Sequence, residues 1–301
     1  MMNWPHIITA LITPYDPLGR VNPEKAAEIA LTLWGQGSGG FVVAGSTGEA
    51  YALSLDERRA LFLQVRAALP ADIPVWMGVG TNDTRSSIEL TEAASAWGAD
   101  GMLVVAPYYN RPPNDGLKTH FVEIARHTAK PVMIYDVPGR TGIAVLPEVV
   151  VDAHRQAENI AAVKEAAGSV ACLTAMHQQL PSDIKLYAGD DALLLPALAV
   201  GAYGIVSVVS HVAAPHMTAL IEAFHSGHLR QALSWHESLW PVCQLLFAQS
   251  NPIPVKWLLN RLGWEVGGVR PPLVMLDDHH FSALWASYER IQSDRSALNA
   301  S

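Results

Sequence analysis

Eight short runs of apolar, largely β-branched residues punctuate the chain: Ile7–Ile12, Gly40–Ala44, Pro74–Val79, Met102–Val105, Val132–Val137, Ile160–Val163, Ile184–Tyr187 and Ile205–Val209. None alternates apolar with polar positions. Runs of this length without alternation read as strands buried on both faces, the pattern of a parallel sheet. Segments with helical spacing separate them. Ser54-Leu-Asp-Glu57 is a capping box that opens a helix to about Leu69. Asp83–Trp97, Asp115–Ala129 and Pro147–Arg155 carry the same periodicity. Strand and helix recur every 25–30 residues or so, which predicts an α/β protein of the (β/α)8 TIM-barrel class over residues 1–226. A doubly wound sheet would favour a glycine-rich phosphate loop after the first strand. Thr13-Pro-Tyr-Asp-Pro-Leu-Gly19 follows instead, and Gly78-Val-Gly80 is too short for a dinucleotide fingerprint. Residues 227–301 hold three more helical patterns, about Leu229–Gln249, Pro254–Leu262 and Phe281–Ala297. They predict a helical extension packed on the barrel or on a neighbouring subunit.

Composition narrows the partners. Half of the 301 residues are hydrophobic, and the net charge is −8 with no basic cluster. Nucleic acid and anionic membrane surfaces are therefore excluded as partners. Cys172 and Cys243 are isolated, which argues for a reducing compartment, the cytoplasm, and against a disulfide framework. The N-terminal Met1-Met-Asn-Trp-Pro-His-Ile-Ile lacks the basic region of a secretion signal. Ala192 to Ser210 is uncharged over nineteen residues, long enough to suggest a membrane span. Pro196, Gly201, Gly204 and the flanking Asp190-Asp191 instead predict a buried helix, a turn and a buried strand.

Candidate chemistry clusters at the strand ends, where barrels of this class carry their sites. Lys164, in Ile160-Ala-Ala-Val-Lys-Glu-Ala-Ala-Gly168, is the one of six lysines that closes a predicted strand. Alone it reads as a strand-end lysine reaching for solvent. Desolvation, however, favours the neutral amine of a buried lysine, and such an amine attacks ketones to form a Schiff base. Its surroundings favour that second reading. Gly45-Ser-Thr-Gly-Glu49 after the second strand offers hydroxyls and backbone N–H groups to a carboxylate. Pro107-Tyr-Tyr-Asn-Arg-Pro-Pro113 follows the fourth strand. The fifth ends in Tyr135-Asp-Val-Pro-Gly-Arg-Thr-Gly142, placing a phenol at the barrel mouth and Arg140 on a rigid loop, where its fork suits a carboxylate. Ala188-Gly-Asp-Asp191 forms a glycine turn after the seventh. A lysine nucleophile, a tyrosine proton carrier and carboxylate-binding groups together suit an aldol reaction of a 2-keto acid through an enamine. Metal chemistry is the competing class. The twelve histidines form neither HxH nor HExxH, and His211, His216 and His279-His280 read as core or surface residues. A keto-acid-binding regulator is the non-enzymatic alternative; it would be marked by loss of the lysine or the tyrosine, and both are present.

These motifs resemble the dihydrodipicolinate synthase/N-acetylneuraminate lyase family of class I aldolases, from about Ile8 to Pro272. The resemblance implies that Lys164 forms the Schiff base and that Tyr135 shuttles protons. It implies that Thr47 links Tyr135 to Tyr109, which reaches into a neighbouring subunit's site in a tetramer built as a dimer of dimers. Ser46 and Thr47 would bind the pyruvate carboxylate, with Gly189 and Ile205 completing the substrate site and Arg140 meeting the aldehyde substrate. Ser46 stands where the synthases usually have threonine, and Asp136 where they have asparagine. Gly45-Ser-Thr-Gly-Glu-Ala50 looks like the lyase form, whereas Arg140, Gly189-Asp-Asp-Ala192 and Asn251-Pro-Ile-Pro-Val-Lys-Trp257 favour the synthase. The expected reaction condenses pyruvate with L-aspartate 4-semialdehyde, without cofactor or metal. Sister pyruvate aldolases, lyases and hydratase-aldolases are the alternative. Positions resembling the lysine-feedback site are Ser86, Leu55 and Arg58, with only Tyr108 and Asn82 retained. No carboxylate remains there and an arginine repels an ammonium, so inhibition by lysine is expected to be weak or absent.

Overall fold

A computed structural model describes residues 4–298; residues 1–3, which open the N-terminal stretch considered above, lie outside it. Eight parallel strands close in sequence order into a barrel, with β8 returning to β1. They are β1 Ile7–Ala10, β2 Gly40–Val43, β3 Val75–Gly78, β4 Gly101–Val105, β5 Val132–Asp136, β6 Ile160–Glu165, β7 Lys185–Ala188 and β8 Gly204–Ser207. The connecting helices are α1 Pro23–Gly35, α2 Leu55–Ala68, α3 Thr84–Trp97, α4 Asn114–Arg126, α5 Pro138–Thr141, α6 Pro147–Gln156, α7 Val170–Gln179, α8 Leu194–Ala199 and α9 Ser210–His225. Beyond them run α10 Leu229–Leu246, α11 Ile253–Arg261 and α12 Ser282–Leu298. All eight predicted strands are present, displaced by one or two residues. The uncharged stretch resolves into α8, a glycine turn and β8, and no described helix is long and apolar enough to cross a membrane.

Two apolar layers explain why the strand runs do not alternate. Ile8, Val42, Trp76, Leu103, Met133, Ala162, Tyr187 and Val206 fill the barrel interior. Their neighbours, among them Phe41, Val75, Ile134, Val163 and Ile205, pack outward against the helices. Both faces leave water, so both must be apolar. Trp76 plugs the floor of the barrel, 5.3 Å from Trp4. Gly101 makes room for it, because a Cβ there would lie 2.5 Å from the indole. The helix starts are written locally. Ser54 and Glu57 form the predicted capping box of α2, and Asp83 caps α3, each satisfying backbone N–H groups that a helix terminus leaves unpaired.

The helical extension belongs to the mouth of the barrel. α10 packs on α8, α9 and the turn Asp191–Leu193. The chain then turns through Asn251 into α11, which carries Lys256 into the interior at 0 % exposure.

Candidate active site

Lys164 comes one residue before the end of β6, because the strand runs on to Glu165 rather than stopping at Val163. It lies directly opposite Tyr135 of β5 in the parallel register. The two side chains share the interior face at the C-terminal rim, and Lys164 Nζ stands 4.2 Å from the centroid of the Tyr135 ring. Gly189 at the end of β7 keeps that space open. A Cβ at that position would approach Lys164 Cε to 2.8 Å and Ala166 Cβ to 2.6 Å.

The chain contains two buried lysines, and their contrast is informative. Lys256 Nζ is paired with the Glu49 carboxylate at 2.7 Å and donates to the Gly268 carbonyl at 2.6 Å. Burial pulls its ammonium down to about 8, while Glu49 pushes it back up. Lys164, at 4 % exposure, takes part in none of the ion pairs among the described residues. Its amine faces a cavity of about 620 Å³, a size suited to a small-molecule site. One lysine is held between a carboxylate and a backbone carbonyl; the other stands at the wall of an open chamber.

Ser46, Thr47, Tyr135, Arg140, Lys164 and Gly189 all line this cavity. Ser46 and Thr47 lie on the tight turn after β2, where Ala44 and Glu49 adopt φ values of 52° and 53°. Thr13 Oγ1 donates to the Gly48 carbonyl at 2.6 Å and pins the turn to β1. Glu49, fully buried, anchors its far end. Its carboxylate accepts from Lys256 and from the Arg270 backbone N–H at 2.8 Å. Arg140 stands exposed at the rim on α5, donating to the Asn251 carbonyl at 3.4 Å. It makes no ion pair among the described residues, which leaves its fork free for a carboxylate.

Two of the expected residues lie apart. Ile205 is fully buried in the outer layer and is not part of the cavity lining. Tyr109 is 89 % exposed with φ 76° and lines neither this cavity nor the one beside it. Tyr108 instead lines a second cavity of about 300 Å³, which reaches Tyr135 and Arg140 from the side of β3 and β4. Arg58 lies on that second cavity, its guanidinium occupied by the carbonyls of Gly78 and Ala50 at 3.1 and 2.6 Å. Thr47 does not hydrogen-bond Tyr135; its Oγ1 accepts from Asn251 Nδ2 at 2.8 Å.

Asn251 was read from the sequence as part of a motif favouring the synthase, not as a site residue. It lines the cavity and orients Thr47 from 204 residues away. Cys243, Gln244, Leu245, Phe247 and Ala248, at the end of α10 and just beyond, wall the same chamber. Asp191, expected to cap a turn, is 3 % exposed. It accepts from the Ser207 hydroxyl and from the N–H of Val208 at 3.0 Å, tying β7 to the end of β8. Burial raises its carboxyl to about 6 against those hydrogen bonds. His211 uses both ring nitrogens internally: Nδ1 bonds the Val208 carbonyl at 2.8 Å and Nε2 accepts from the Ile12 N–H at 3.2 Å. Among the described residues no group of three His, Cys, Asp or Glu side chains is disposed to hold a metal ion.

Comparison with known proteins agrees with this fold. The model of the dihydrodipicolinate synthetase family matches residues 3–290. The 4-hydroxy-tetrahydrodipicolinate synthase of Prochlorococcus marinus (strain NATL2A) is 46 % identical over 272 residues, 90 % of either chain. A dihydrodipicolinate synthase of Bacillus anthracis superposes with a TM-score of 0.93 at 39 % identity, over 96 % of this chain and 99 % of that one. The enzyme of Cyanidioschyzon merolae, solved with lysine bound, gives 0.94 at 36 % identity over 97 % and 99 %. A match that spans barrel and extension alike, with relatives this similar along nine-tenths of the chain, makes this protein a member of the dihydrodipicolinate synthetase family.

Proposed function

We propose that the chain condenses pyruvate with L-aspartate 4-semialdehyde to give 4-hydroxy-tetrahydrodipicolinate, a step toward lysine and diaminopimelate, through a Schiff base on Lys164. The observation that carries this reading is the unpaired Lys164 amine beside the Tyr135 ring at 4.2 Å, inside the shared cavity. The pyruvate carboxylate meets the Ser46 and Thr47 hydroxyls and nearby backbone N–H groups. Lys164 attacks the ketone, and Tyr135 relays the protons needed for loss of water. Loss of a methyl proton from the imine gives the enamine. Its carbon then attacks the aldehyde, held by Arg140 at the rim through its carboxylate. The imine itself serves as the electron sink, so the chemistry calls for no organic cofactor. Gly189 acts by leaving room for the lysine stem.

We further place the enzyme in the cytoplasm as a tetramer built from two dimers. The 89 % exposure of Tyr109 and its absence from the cavity lining support its use in a partner's site, where it would complete the proton relay. The test is a coupled assay with pyruvate, aspartate semialdehyde and dihydrodipicolinate reductase, following NADPH consumption. Turnover at about 1–1000 per second, with a borohydride-trapped pyruvate adduct that Lys164→Ala abolishes, is the expected result. An adduct without turnover would move the assignment to a sister lyase or hydratase-aldolase, and turnover by Lys164→Ala would overturn the mechanism.

A further inference from the structure

Side chains alternate across a strand. Tyr135 and Lys164 point into the chamber, so the next residues, Asp136 and Glu165, point into the layer between sheet and helices. These two are also register partners across β5 and β6. Both are buried, at 2 % and 3 % exposure, and their carboxyl groups act on each other. No cation is paired with either among the described residues. Asp136 accepts the Val145 N–H, and Glu165 Oε1 accepts the Ala167 N–H at 2.6 Å. Asp136 Oδ1 meets no N–H or O–H donor.

The flanking elements supply no countercharge. β4 ends in Val105 and Ala106, β7 sets Ala188 beside Glu165, and α6 turns Val149, Val150 and Ala153 inward. On α6, Glu148 is exposed and Asp152 half-buried; buried Leu173 and Met176 come from α7. Lys164 lies on the opposite face of β6. Glu165 is the one charged group that acts on Asp136. Two touching carboxylates cannot both ionise in such a place. One proton between them turns repulsion into a charge-assisted O–H···O hydrogen bond. Burial first, then Glu165, pushes the Asp136 carboxyl up to about 7, and burial raises Glu165 as well.

We propose that Asp136 and Glu165 share a single proton that clamps the tip of β5 to the tip of β6, and that this clamp holds the Tyr135 phenol against the Lys164 amine during imine formation. Both are positioning residues, and the proposal rests on the Schiff-base reading of Lys164. As pH rises through neutrality the shared proton leaves, two like charges face each other, and the strand tips part. Imine formation in the wild type therefore slows on the alkaline side. An amide at position 136 donates to the Glu165 carboxylate at every pH and removes that dependence.

The experiment measures single-turnover imine formation with pyruvate, trapped by borohydride, across neutral pH in the wild type, Asp136→Asn, Asp136→Ala and Glu165→Gln. Infrared spectra of the protonated-carboxyl band accompany it. Asp136→Ala should slow imine formation roughly tenfold or more, since small misplacements of reacting groups carry costs of that order. Asp136→Asn should restore the rate with a flat pH profile, and Glu165→Gln should behave likewise. The wild-type carboxyl band should titrate in step with the rate and vanish in Asp136→Asn. Superimposable pH profiles for wild type and Asp136→Asn, or no protonated-carboxyl band at neutral pH, would overturn the proposal. Absence of any adduct, wild type included, would instead strike the Schiff-base reading, leaving the infrared titration to decide the shared proton.

Discussion

Removing Lys256 while keeping its volume should unfasten the turn that carries Ser46 and Thr47. Lys256→Met retains an unbranched apolar stem but deletes a 2.7 Å ion pair to Glu49 and a 2.6 Å hydrogen bond to the Gly268 carbonyl. It also deletes the ammonium 4.1 Å above the Tyr15 ring. Both members of the pair are at 0 % exposure, so water cannot replace what is lost. Glu49 would keep only the Arg270 N–H. Breaking one side of a buried pair costs about 3–5 kcal/mol, a large share of the 5–15 kcal/mol or so that holds a domain folded. An exposed pair such as Arg85–Glu89, with side chains 88 % and 63 % accessible, should contribute under about 1 kcal/mol when treated the same way.

Equilibrium urea unfolding measures the loss, and a double-mutant cycle with Glu49→Gln isolates its cause. The neutral amide that this second change introduces needs no countercharge, and its carbonyl still accepts from the Arg270 N–H. The double variant should therefore recover at least about 1.5 kcal/mol relative to the sum of the singles. The KM for pyruvate should rise in Lys256→Met, because Glu49 closes the turn whose hydroxyls face the cavity. A loss below about 1 kcal/mol, or strict additivity of the two single changes, would refute the claim that this pair fastens the site.

Arg140→Ala should lower kcat/KM for an acidic aldehyde by at least about thirtyfold, from roughly 2 kcal/mol for a truncated charge contact. Its effect on borohydride-trapped pyruvate should be far smaller, and equal losses in both assays would show that the arginine does not select the second substrate. His211 is held near 4 by burial, opposed by its bond to Val208. The unfolded chain therefore binds the extra proton first as pH falls through 6.5, and the stability from this neutral histidine is complete above 6.5 and lost toward pH 4. The wild-type advantage over His211→Gln, measured by urea unfolding, should shrink by roughly 3 kcal/mol between about pH 7 and 4; a constant difference would contradict the assignment. Isothermal calorimetry with lysine should show no saturable binding at sub-millimolar concentration, because Arg58 places a cation on the second cavity and Ser86 offers no carboxylate.

The legible parts of this chain were those in which one physical demand repeats along the sequence. Strands buried on both faces must be apolar throughout, so all eight could be read, and their order fixed the barrel. Their ends could not be placed as well. At the rim, apolar pattern gives way to functional side chains: β6 carries Lys164 and Glu165 past its last apolar residue, and Ala44 leaves β2 at a positive φ. Lys164 and Tyr135 were legible because a lysine or phenol at a strand end is unusual in itself. The roles of Asn251, Glu49 and Lys256 were not, because their motifs do not name their partners. Glu49 and Lys256 lie 207 residues apart, and each looks like a surface residue until the other is in place. Asp136 lies between these cases: its type was visible, but its meaning depends on the β5–β6 register that sets it against Glu165. The proposed catalytic groups thus announce themselves by conflict with their own segment, whereas the groups that would position them are defined by partners that only the closed barrel and its extension bring together.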